Sequence, residues 1–301
     1  MDTKNVIAAI SLSAAVIILY GLFFAPSPQK LNQIQEEKSQ IIQSSETPSL
    51  EVDEKITEIS RNEALTENQR IIFENESIKG SISLKGSIID DLTFKKYTET
   101  LNGTDHVILL NPREAQNGYF VETGWVTNSK NVDVPNAQTV WQIEGNNKLT
   151  PNRTVNLVWE NDLGIKFQKK ISLDNQYLFT IDQSITNSTN NKYNFYPYGQ
   201  IIRNTAPEVT NFYILHEGLL GVFDEQLIEE DYKDIEEKKF TIKAESGWVG
   251  ITDKYWITSL IPENNKEFKA DFEYKNKFKA NFIETQSTEI GANETRSNQI
   301  K

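Results

Sequence analysis

The amino-acid sequence predicts an all-β domain behind a single N-terminal membrane helix. Apolar and polar residues alternate with a period of two from Arg70 almost to the last residue, and Asn, Asp and Gly turns separate the alternating runs. Short strands with this pattern are half-buried and antiparallel, as in a β-sandwich or a β-barrel. Near the N-terminus, the segment Val6–Ala25 contains no charged residue, which is typical of a helix that crosses a bilayer.

Val6–Ala25 has the length of a membrane anchor. Its residues would form a helix about 30 Å long, which matches the thickness of the hydrocarbon layer. The alternative is a cleaved signal peptide, which has a shorter apolar region and ends in small residues. Here Phe23 stands where a small residue is required, and Pro26 follows the only candidate cut. We therefore predict a cytoplasmic N-terminus over residues 1–5 and an uncleaved transmembrane anchor over residues 6–25, with the remaining chain on the far side of the membrane.

Residues 26–69 are predicted to be a disordered acidic tether. Between Ser27 and Gln69 there is no aromatic residue and no glycine, and acidic residues outnumber basic ones. Such a segment cannot bury enough apolar surface to offset the conformational entropy that it would lose on ordering. The β-domain is accordingly predicted to occupy residues 70–301.

Three segments of this domain show the alternation most clearly. Ile165–Leu173 places apolar residues on one face, although Lys169 interrupts the row, and Tyr177–Ile185 continues as the return strand. Phe268–Phe282 repeats the pattern on both sides of a turn. The segment Asp224–Lys239 is acidic, and we interpret it as a solvated, helix-compatible excursion on the surface.

Composition excludes several kinds of partner and cofactor. The 301-residue chain carries a formal net charge of −12, which disfavours nucleic acid and anionic lipid as direct partners because both require a basic surface. There is no cysteine, so disulfides, iron–sulfur clusters and thiolate zinc sites are excluded. The mean hydropathy of −0.52 is that of a soluble domain, and the sequence predicts no second membrane span.

The candidates for chemistry are few. His216 precedes Glu217, and such a pair can act as acid and base or form half of a metal site. No third ligand follows at a metal-binding spacing, so we interpret His216 as a hydrogen-bonded structural residue. His106 lies in a predicted loop. We therefore predict no catalytic, cofactor-binding or metal-binding residue, and no enzymatic activity.

Four aromatic residues cluster at Tyr193, Phe195, Tyr196 and Tyr198. Aromatic side chains at this spacing can stack on sugar rings, but they are more often cross-strand pairs inside a sheet. We favour the second interpretation.

The most distinctive stretch is GWVGITDKYWITSLIP, at Gly247–Pro262. It predicts two apolar strands or one long bent strand, with Gly247 allowing a close backbone approach. Trp248, Tyr255 and Trp256 are predicted to supply large buried area.

This stretch resembles the corresponding segment of the periplasmic domain of the YidC membrane-protein insertases. LHEGLLGV at Leu215–Val222 is similar to a segment that family members carry in mid-domain, and the region Ile78–Leu92 is similar to the strand pair that opens their domain. The Met1-Asp2 start, the immediate anchor and the acidic tether agree in order. The resemblance covers essentially the whole chain.

The resemblance implies an inner-membrane protein held in the bilayer by its N-terminal helix, with the main domain in the periplasm. It implies a large twisted antiparallel β-sandwich, the supersandwich also seen in sugar mutarotases. The family inserts nascent membrane proteins and helps to fold them, alone or with the Sec translocon and its SecDF accessory. It uses no cofactor. The periplasmic domain would then be a scaffold or docking module.

The family's insertase core, a bundle of five further transmembrane helices, is not in this sequence. The chain stops in the polar segment Ser287–Lys301, and we expect it to be an N-terminal fragment truncated before that core. The alternative is a membrane-tethered carbohydrate-binding or mutarotase-like β-sandwich that uses His216, Glu217 and the aromatic cluster. Five hydrophobic spans encoded after Lys301 would support the first hypothesis, and a stop codon would favour the second.

Overall fold

A computed structural model describes residues 58–207 and 216–301 of the chain. The predicted N-terminus, the predicted anchor and most of the predicted tether lie outside the described residues. Within residues 58–207 and 216–301, no helix is long and apolar enough to cross a membrane.

The described residues form a predominantly β structure with two short helices. In chain order the elements are α1 (Arg61–Glu67), β1 (Arg70–Glu74), β2 (Ile78–Ser83), β3 (Ile88–Thr98), β4 (His106–Leu110), β5 (Tyr119–Thr127), β6 (Gln142–Glu144), β7 (Lys148–Leu149), β8 (Val155–Glu160), β9 (Ile165–Leu173), β10 (Phe179–Asn187), β11 (Tyr193–Arg203), β12 (Gly218–Phe223), β13 (Gln226–Asp231), α2 (Tyr232–Glu237), β14 (Phe240–Ala244), β15 (Gly247–Thr252), β16 (Ile257–Leu260), β17 (Phe268–Tyr274), β18 (Phe278–Glu284), β19 (Thr288–Ile290) and β20 (Glu294–Ile300).

The strands form three sheets. An 11-stranded sheet has the order β14-β17-β18-β11-β5-β3-β2-β1-β7, with β19 beside β11 and β4 beside β3. A 5-stranded sheet has the order β20-β10-β9-β8-β6, and a 4-stranded sheet has the order β13-β12-β15-β16. Apart from the parallel pair β1–β7, neighbouring strands run antiparallel. The predicted all-β antiparallel architecture is confirmed, and the open sheets make it a sandwich.

The register of the large sheet explains its buried face. Six residues stand side by side across six strands and all are apolar, namely Ile89, Val121, Ile201, Ala280, Phe272 and Phe240. Because side chains alternate between the faces of a strand, one such row fixes the inward face of the whole sheet. The 5-stranded sheet packs against this face, where Phe167 meets Phe195 with ring centroids 5.8 Å apart.

Lys169 does not break the inward row of β9. The side chain is only 2% exposed, and its Nζ donates to the carbonyl oxygen of Thr123 at 2.7 Å. Nζ also lies 5.1 Å from the ring centroid of Trp141. Burial lowers the pKa of Lys169 to about 8, and the nearby Glu122 carboxylate opposes this shift. The strand therefore keeps its register because the core supplies partners for the cation.

The last residues of the predicted tether, just before the predicted domain boundary at residue 70, form a helix. Helix α1 begins after Ser60, whose Oγ accepts from the backbone N–H of Glu63, and it buries Ala64. Arg61 forms an ion pair with Asp91 and donates to the carbonyl oxygen of Leu110 at 3.1 Å. The composition of the segment gives no sign of this helix because polar contacts to distant residues hold it.

Two other polar segments contain regular secondary structure. Asp224–Lys239, predicted as a surface excursion, contains strand β13 and helix α2. The helix buries Tyr232, whose ring centroid lies 4.8 Å from that of Phe278. The polar segment Ser287–Lys301 forms β19 and β20, and β20 pairs with β10 along its full length. In both cases an edge position lets polar residues take part in a sheet.

Candidate functional site

Three sheets converge on one open cavity of about 490 Å³. We call it the aromatic groove. The large sheet contributes residues of β3, β4 and β5, the 5-stranded sheet contributes β10 and the turn before it, and the 4-stranded sheet contributes β16 and the turn before it. Its lining includes Phe94, Tyr97, Asp174, Tyr177, Leu178, Tyr255, Trp256, Ile257 and Lys301.

A cluster of ring contacts joins the walls of the groove. The rings of Phe94 and Trp256 are stacked, with centroids 4.3 Å apart and an interplanar angle of 27°. Tyr97 meets Trp256 edge-on at 4.9 Å, and Tyr177 meets Phe94 edge-on at 5.9 Å. A hydrogen bond to Tyr177 raises the pKa of Tyr97. Aromatic residues from all three sheets thus contact one another at a single place.

The β9–β10 turn presents one wall of the groove. The Asp174 carboxylate accepts from the backbone N–H groups of Gln176 and Leu178, at 2.8 and 2.9 Å. Asn75 Nδ2 donates to the carbonyl oxygens of Asp174 and Gln176. This arrangement fixes the turn from both sides and leaves Tyr177 46% and Leu178 43% exposed.

The β15–β16 turn presents the opposite wall. The backbone N–H of Asp253 donates to the carbonyl oxygen of Trp256 at 2.8 Å. Thr252 Oγ1 donates to the carbonyl oxygens of Asp253 and Trp256. The closed turn directs Trp256 onto Phe94, while Tyr255 is 71% exposed. The prediction that Tyr255 supplies buried area is therefore wrong, and Trp248 and Trp256 are only partly buried.

The chemistry of the groove is apolar. Asp174 and Lys301 are the only charged residues among those that line it, and the Asp174 carboxylate is engaged by its own turn. An exposed apolar patch with few polar groups is a feature of surfaces that bind hydrophobic partners. The groove therefore suits the burial of an apolar segment and has no pair of carboxylates for acid–base chemistry among its described lining residues.

The sequence-derived candidates for chemistry are not part of the groove. His216 Nδ1 lies 3.3 Å from an Asp231 carboxylate oxygen, and its Nε2 lies 3.2 Å from the carbonyl oxygen of Leu219. His106 Nδ1 lies 3.3 Å from the carbonyl oxygen of Tyr97. In the part of the chain that the structure describes, no group of three or more His, Cys, Asp or Glu residues is placed to hold a metal ion. That no residue acts in catalysis or binds a cofactor or metal remains a prediction.

The aromatic cluster of β11 is built into the sheet, as we interpreted it. Phe195 is fully buried, and the hydroxyl of Tyr198 donates to Glu122 at 2.6 Å. Burial raises the pKa of Tyr198, and the Glu122 carboxylate adds to this shift. The hydroxyl of Tyr196 accepts from Asn128 Nδ2 at 3.3 Å. These rings are internal parts of the sandwich and do not form a platform for a ligand.

Sequence reasoning did not single out Phe94, Tyr97 or Tyr177. Phe94 and Tyr97 belong to the large sheet, whereas Tyr177 lies in the turn before β10 of the 5-stranded sheet. No local sequence pattern indicates that these two places lie side by side. The only sequence signal was that Tyr177 follows directly after a predicted turn.

Comparison with solved structures shows a likeness of fold. The X-ray structure of a galactose mutarotase related enzyme from Lactobacillus acidophilus matches 77% of this chain and 96% of its own, with a TM-score of 0.52 and 9% sequence identity. The chain thus shares the β-sandwich fold of this structure. At this identity the likeness shows the fold alone.

Sequence comparison then identifies the family. The model of the YidC periplasmic domain matches residues 70–301. Membrane protein insertase YidC of Pelagibacter ubique is 56% identical over 301 residues, which are 100% of this chain and 54% of that protein. Its counterpart from Rickettsia bellii is 38% identical over 276 residues, 90% of this chain and 48% of that protein. The chain belongs to the YidC membrane protein insertase family.

Membership implies an inner-membrane protein, and the matched region is its periplasmic domain. The chain spans about half the length of the relatives that it matches.

Proposed function

We propose that this chain is the N-terminal part of an insertase that moves nascent membrane proteins into the inner membrane and helps them fold. The names and identity of its relatives support this role. In this proposal residues 1–5 are cytoplasmic, residues 6–25 span the bilayer, and a tether leads to the periplasmic domain. Insertion proceeds without a cofactor and without covalent chemistry, alone or beside the Sec translocon and SecDF.

The periplasmic domain acts as a docking module in this proposal, and the aromatic groove is its binding site. The observation that carries this assignment is the apolar lining of a cavity of about 490 Å³. A client segment that has not yet entered the bilayer exposes apolar side chains, and burying them in the groove lowers the free energy by about 25 cal/mol per Å² of apolar surface. The groove would hold such a segment weakly and release it to the membrane.

The carbohydrate alternative has less support. Its residues, His216, Glu217 and the β11 aromatics, do not line a common cavity among those found in the described residues. The mutarotase likeness concerns the fold, and a shared fold does not transfer an activity.

Site-specific photo-crosslinking tests the docking role. A photoreactive amino acid is placed at Tyr177, in the groove, or at Leu163, on the β8–β9 turn, in the full-length insertase during synthesis of a membrane protein. Both side chains are 46% exposed, so the two positions are matched for access. We expect client adducts from position 177 and few from position 163. Equal yields, or none from either position, would exclude the groove as the docking site.

A further inference from the structure

Arg203, at the end of β11, is fixed in place by several contacts. Its guanidinium lies over the ring of Tyr119, with Cζ 4.8 Å from the ring centroid, and its Nε donates to the carbonyl oxygen of Thr205 at 3.1 Å. Nη1 lies 3.4 Å from the hydroxyl of Tyr232. Burial raises the pKa values of both tyrosines, so these residues remain neutral beside the cation. A planar guanidinium held this way has little freedom to follow a moving partner.

The partner of Arg203 is the turn that carries the groove's tryptophan. Arg203 Nη1 donates to Asp253 Oδ1 at 2.6 Å, and the two side chains are only 15% and 23% exposed. Asp253 is the first residue of the closed turn whose last residue is Trp256. A second hydrogen bond also joins the two sheets: the hydroxyl of Tyr119 donates to the carbonyl oxygen of Ile251 at 3.2 Å. The 4-stranded sheet is therefore attached to the large sheet immediately beneath the turn.

We propose that Arg203 is a positioning residue of the aromatic groove, because its ion pair with Asp253 sets where Trp256 meets Phe94. The inference rests on the proposed docking function of the groove. Trp256 and Phe94 come from different sheets, and their stacking distance of 4.3 Å depends on the placement of the turn relative to β3. Without the ion pair, the turn keeps its internal hydrogen bonds but loses the charged contact that connects it to β11. The groove then widens or closes, and a client segment loses part of its contact surface.

Arg113 provides a matched control. It also pairs with a carboxylate, Glu122, at 3.4 Å, and its Cζ lies 5.2 Å from the ring centroid of Phe120. Tyr119 and Phe120 are consecutive residues of β5, so the two arginines contact neighbouring positions of one strand. Arg113 does not line the groove. Arg113→Met is expected to destabilise the domain without moving Trp256.

The first measurement follows Trp256 directly. The chain is labelled with 5-fluorotryptophan, reconstituted in lipid nanodiscs and examined by ¹⁹F NMR, with Trp256→Phe used to assign the resonance. We expect Arg203→Met to shift or broaden the Trp256 resonance, Arg203→Lys to restore it in part because the charge remains, and Arg113→Met to leave it unchanged. A folded Arg203→Met protein with an unchanged Trp256 resonance would overturn the inference, as would an Arg203→Lys resonance that moves as far as that of Arg203→Met or an equal change in Arg113→Met.

The second measurement is the client crosslink from position 177 in the full-length insertase. For Arg203→Met we expect the yield to fall by roughly a factor of ten, which corresponds to about 1.4 kcal/mol of binding free energy. Arg113→Met should retain the yield. A wild-type protein that gives no crosslink contradicts the proposed docking function and this inference together. A wild-type crosslink that survives in Arg203→Met contradicts the inference alone.

Discussion

At the scale of single residues, a chain of buried polar side chains joins the two larger sheets. Asn298 Nδ2 donates to the Glu284 carboxylate at 3.0 Å. Gln183 Nε2 donates to Asn298 Oδ1 at 2.9 Å and to the carbonyl oxygen of Gly124 at 3.1 Å. Glu284 and Gly124 belong to the large sheet, whereas Asn298 and Gln183 belong to the 5-stranded sheet. Buried polar groups are stable in a core only when they are paired in this way.

Glu284 makes the stability of the domain depend on pH. Burial raises its pKa to about 7 from the ordinary value of 4.5, while Lys266 opposes and Glu263 adds to the shift. The folded protein therefore binds a proton more tightly than the unfolded chain, so the stabilisation is complete below pH 4.5 and is lost as the pH rises through 7. The free energy of unfolding should fall by up to about 3 kcal/mol across this window.

Glu284→Gln should remove this contribution to the pH dependence, because the amide oxygen can still accept from Asn298 but does not titrate. Urea unfolding between pH 4.5 and 8 measures the effect, and the variant should be more stable than the wild type at pH 8. Glu160→Gln, at an exposed position, controls for the loss of one charge. Parallel pH profiles of wild type and Glu284→Gln would contradict the assignment.

The residue scale also shows where sequence reasoning fails. The alternation correctly placed Ile165, Phe167 and Ile171 on the inward face of β9. It marked Lys169 as an interruption, because no local pattern indicates that a carbonyl oxygen of β5 will meet the ammonium group. The partners of buried polar residues are distant in sequence, and the local pattern of one amino-acid sequence gives no information on such contacts.

At the scale of elements, the distinctive stretch folds as a hairpin whose first residue is constrained. Gly247 has a φ of 132°, and a Cβ built there would lie 1.8 Å from the carbonyl oxygen of Val222 on the neighbouring strand. The expected close backbone approach at Gly247 is confirmed. Of the two predicted forms, the stretch adopts the two-strand form, with β15 and β16 paired antiparallel.

Gly247→Ala should therefore destabilise the domain by more than about 3 kcal/mol, because both the φ angle and the neighbouring backbone reject a side chain. Gly164→Ala is the matched control. Its φ is 87°, and no atom lies within 4 Å of the built Cβ, so only the backbone strain of about 1 kcal/mol applies. Thermal unfolding of the two variants measures the difference, and equal losses would refute the steric explanation.

Helix α1 is the second element that a variant can test. Arg61→Met removes the ion pair to Asp91 and the hydrogen bonds to Leu110 and Asn111. We expect a loss of about 2 kcal/mol in the free energy of unfolding, since the groups are partly buried and charged. Lys192→Met, which breaks an exposed pair with Glu289, should cost far less, because solvent screens exposed charges. If both variants unfold like the wild type, α1 does not contribute to the domain.

Long alternating elements were predictable and short ones were not. Strands β9, β10, β17 and β18 carry several inward residues each, so their period is readable. Helix α1 and strand β13 are short and acidic, and their local sequence resembles a solvated loop. Contacts with the rest of the domain decide their structure, which is why composition alone misassigned them.

At the scale of the whole molecule, the described residues supply their own core. A shortened chain that begins at residue 58 should fold without the anchor, because the apolar faces of all three sheets are covered by one another. Circular dichroism should show a β spectrum with a cooperative thermal transition. A chain that begins at residue 70 lacks α1 and should melt at a lower temperature. A non-cooperative transition from residue 58 onward would mean that the domain depends on the anchor.

The chain by itself should not insert membrane proteins. Insertion requires a polar path through hydrocarbon, because an unsatisfied polar group there costs several kcal/mol. Residues 6–25, the predicted anchor, offer Ser11, Ser13 and Tyr20 as their only polar side chains. A strain depleted of its own insertase and given residues 1–301 should fail to grow and should accumulate uninserted clients. Growth of that strain would show that these residues contain the insertion machinery.

At this scale the fold class was predictable, whereas the groove was not. Alternation and turns define the faces of strands, and the all-β fold follows from them. The position of the groove depends on how three sheets are arranged around one another. That arrangement is determined by packing between residues as distant as Phe94 and Trp256, which no periodicity encodes.

Because the groove is assembled from such distant parts, it exists only late in the biogenesis of the domain. A chain that has reached the periplasm only as far as β11 holds Phe94, Tyr97 and Tyr177, but it lacks the wall formed by Tyr255 and Trp256. Contacts of high sequence separation form slowly because long loops must close first. A partly exported domain therefore has no complete groove until its synthesis has passed β16. The order of the chain thus decides when the groove can first hold any segment, because its last wall is among the last parts of the domain to be synthesised.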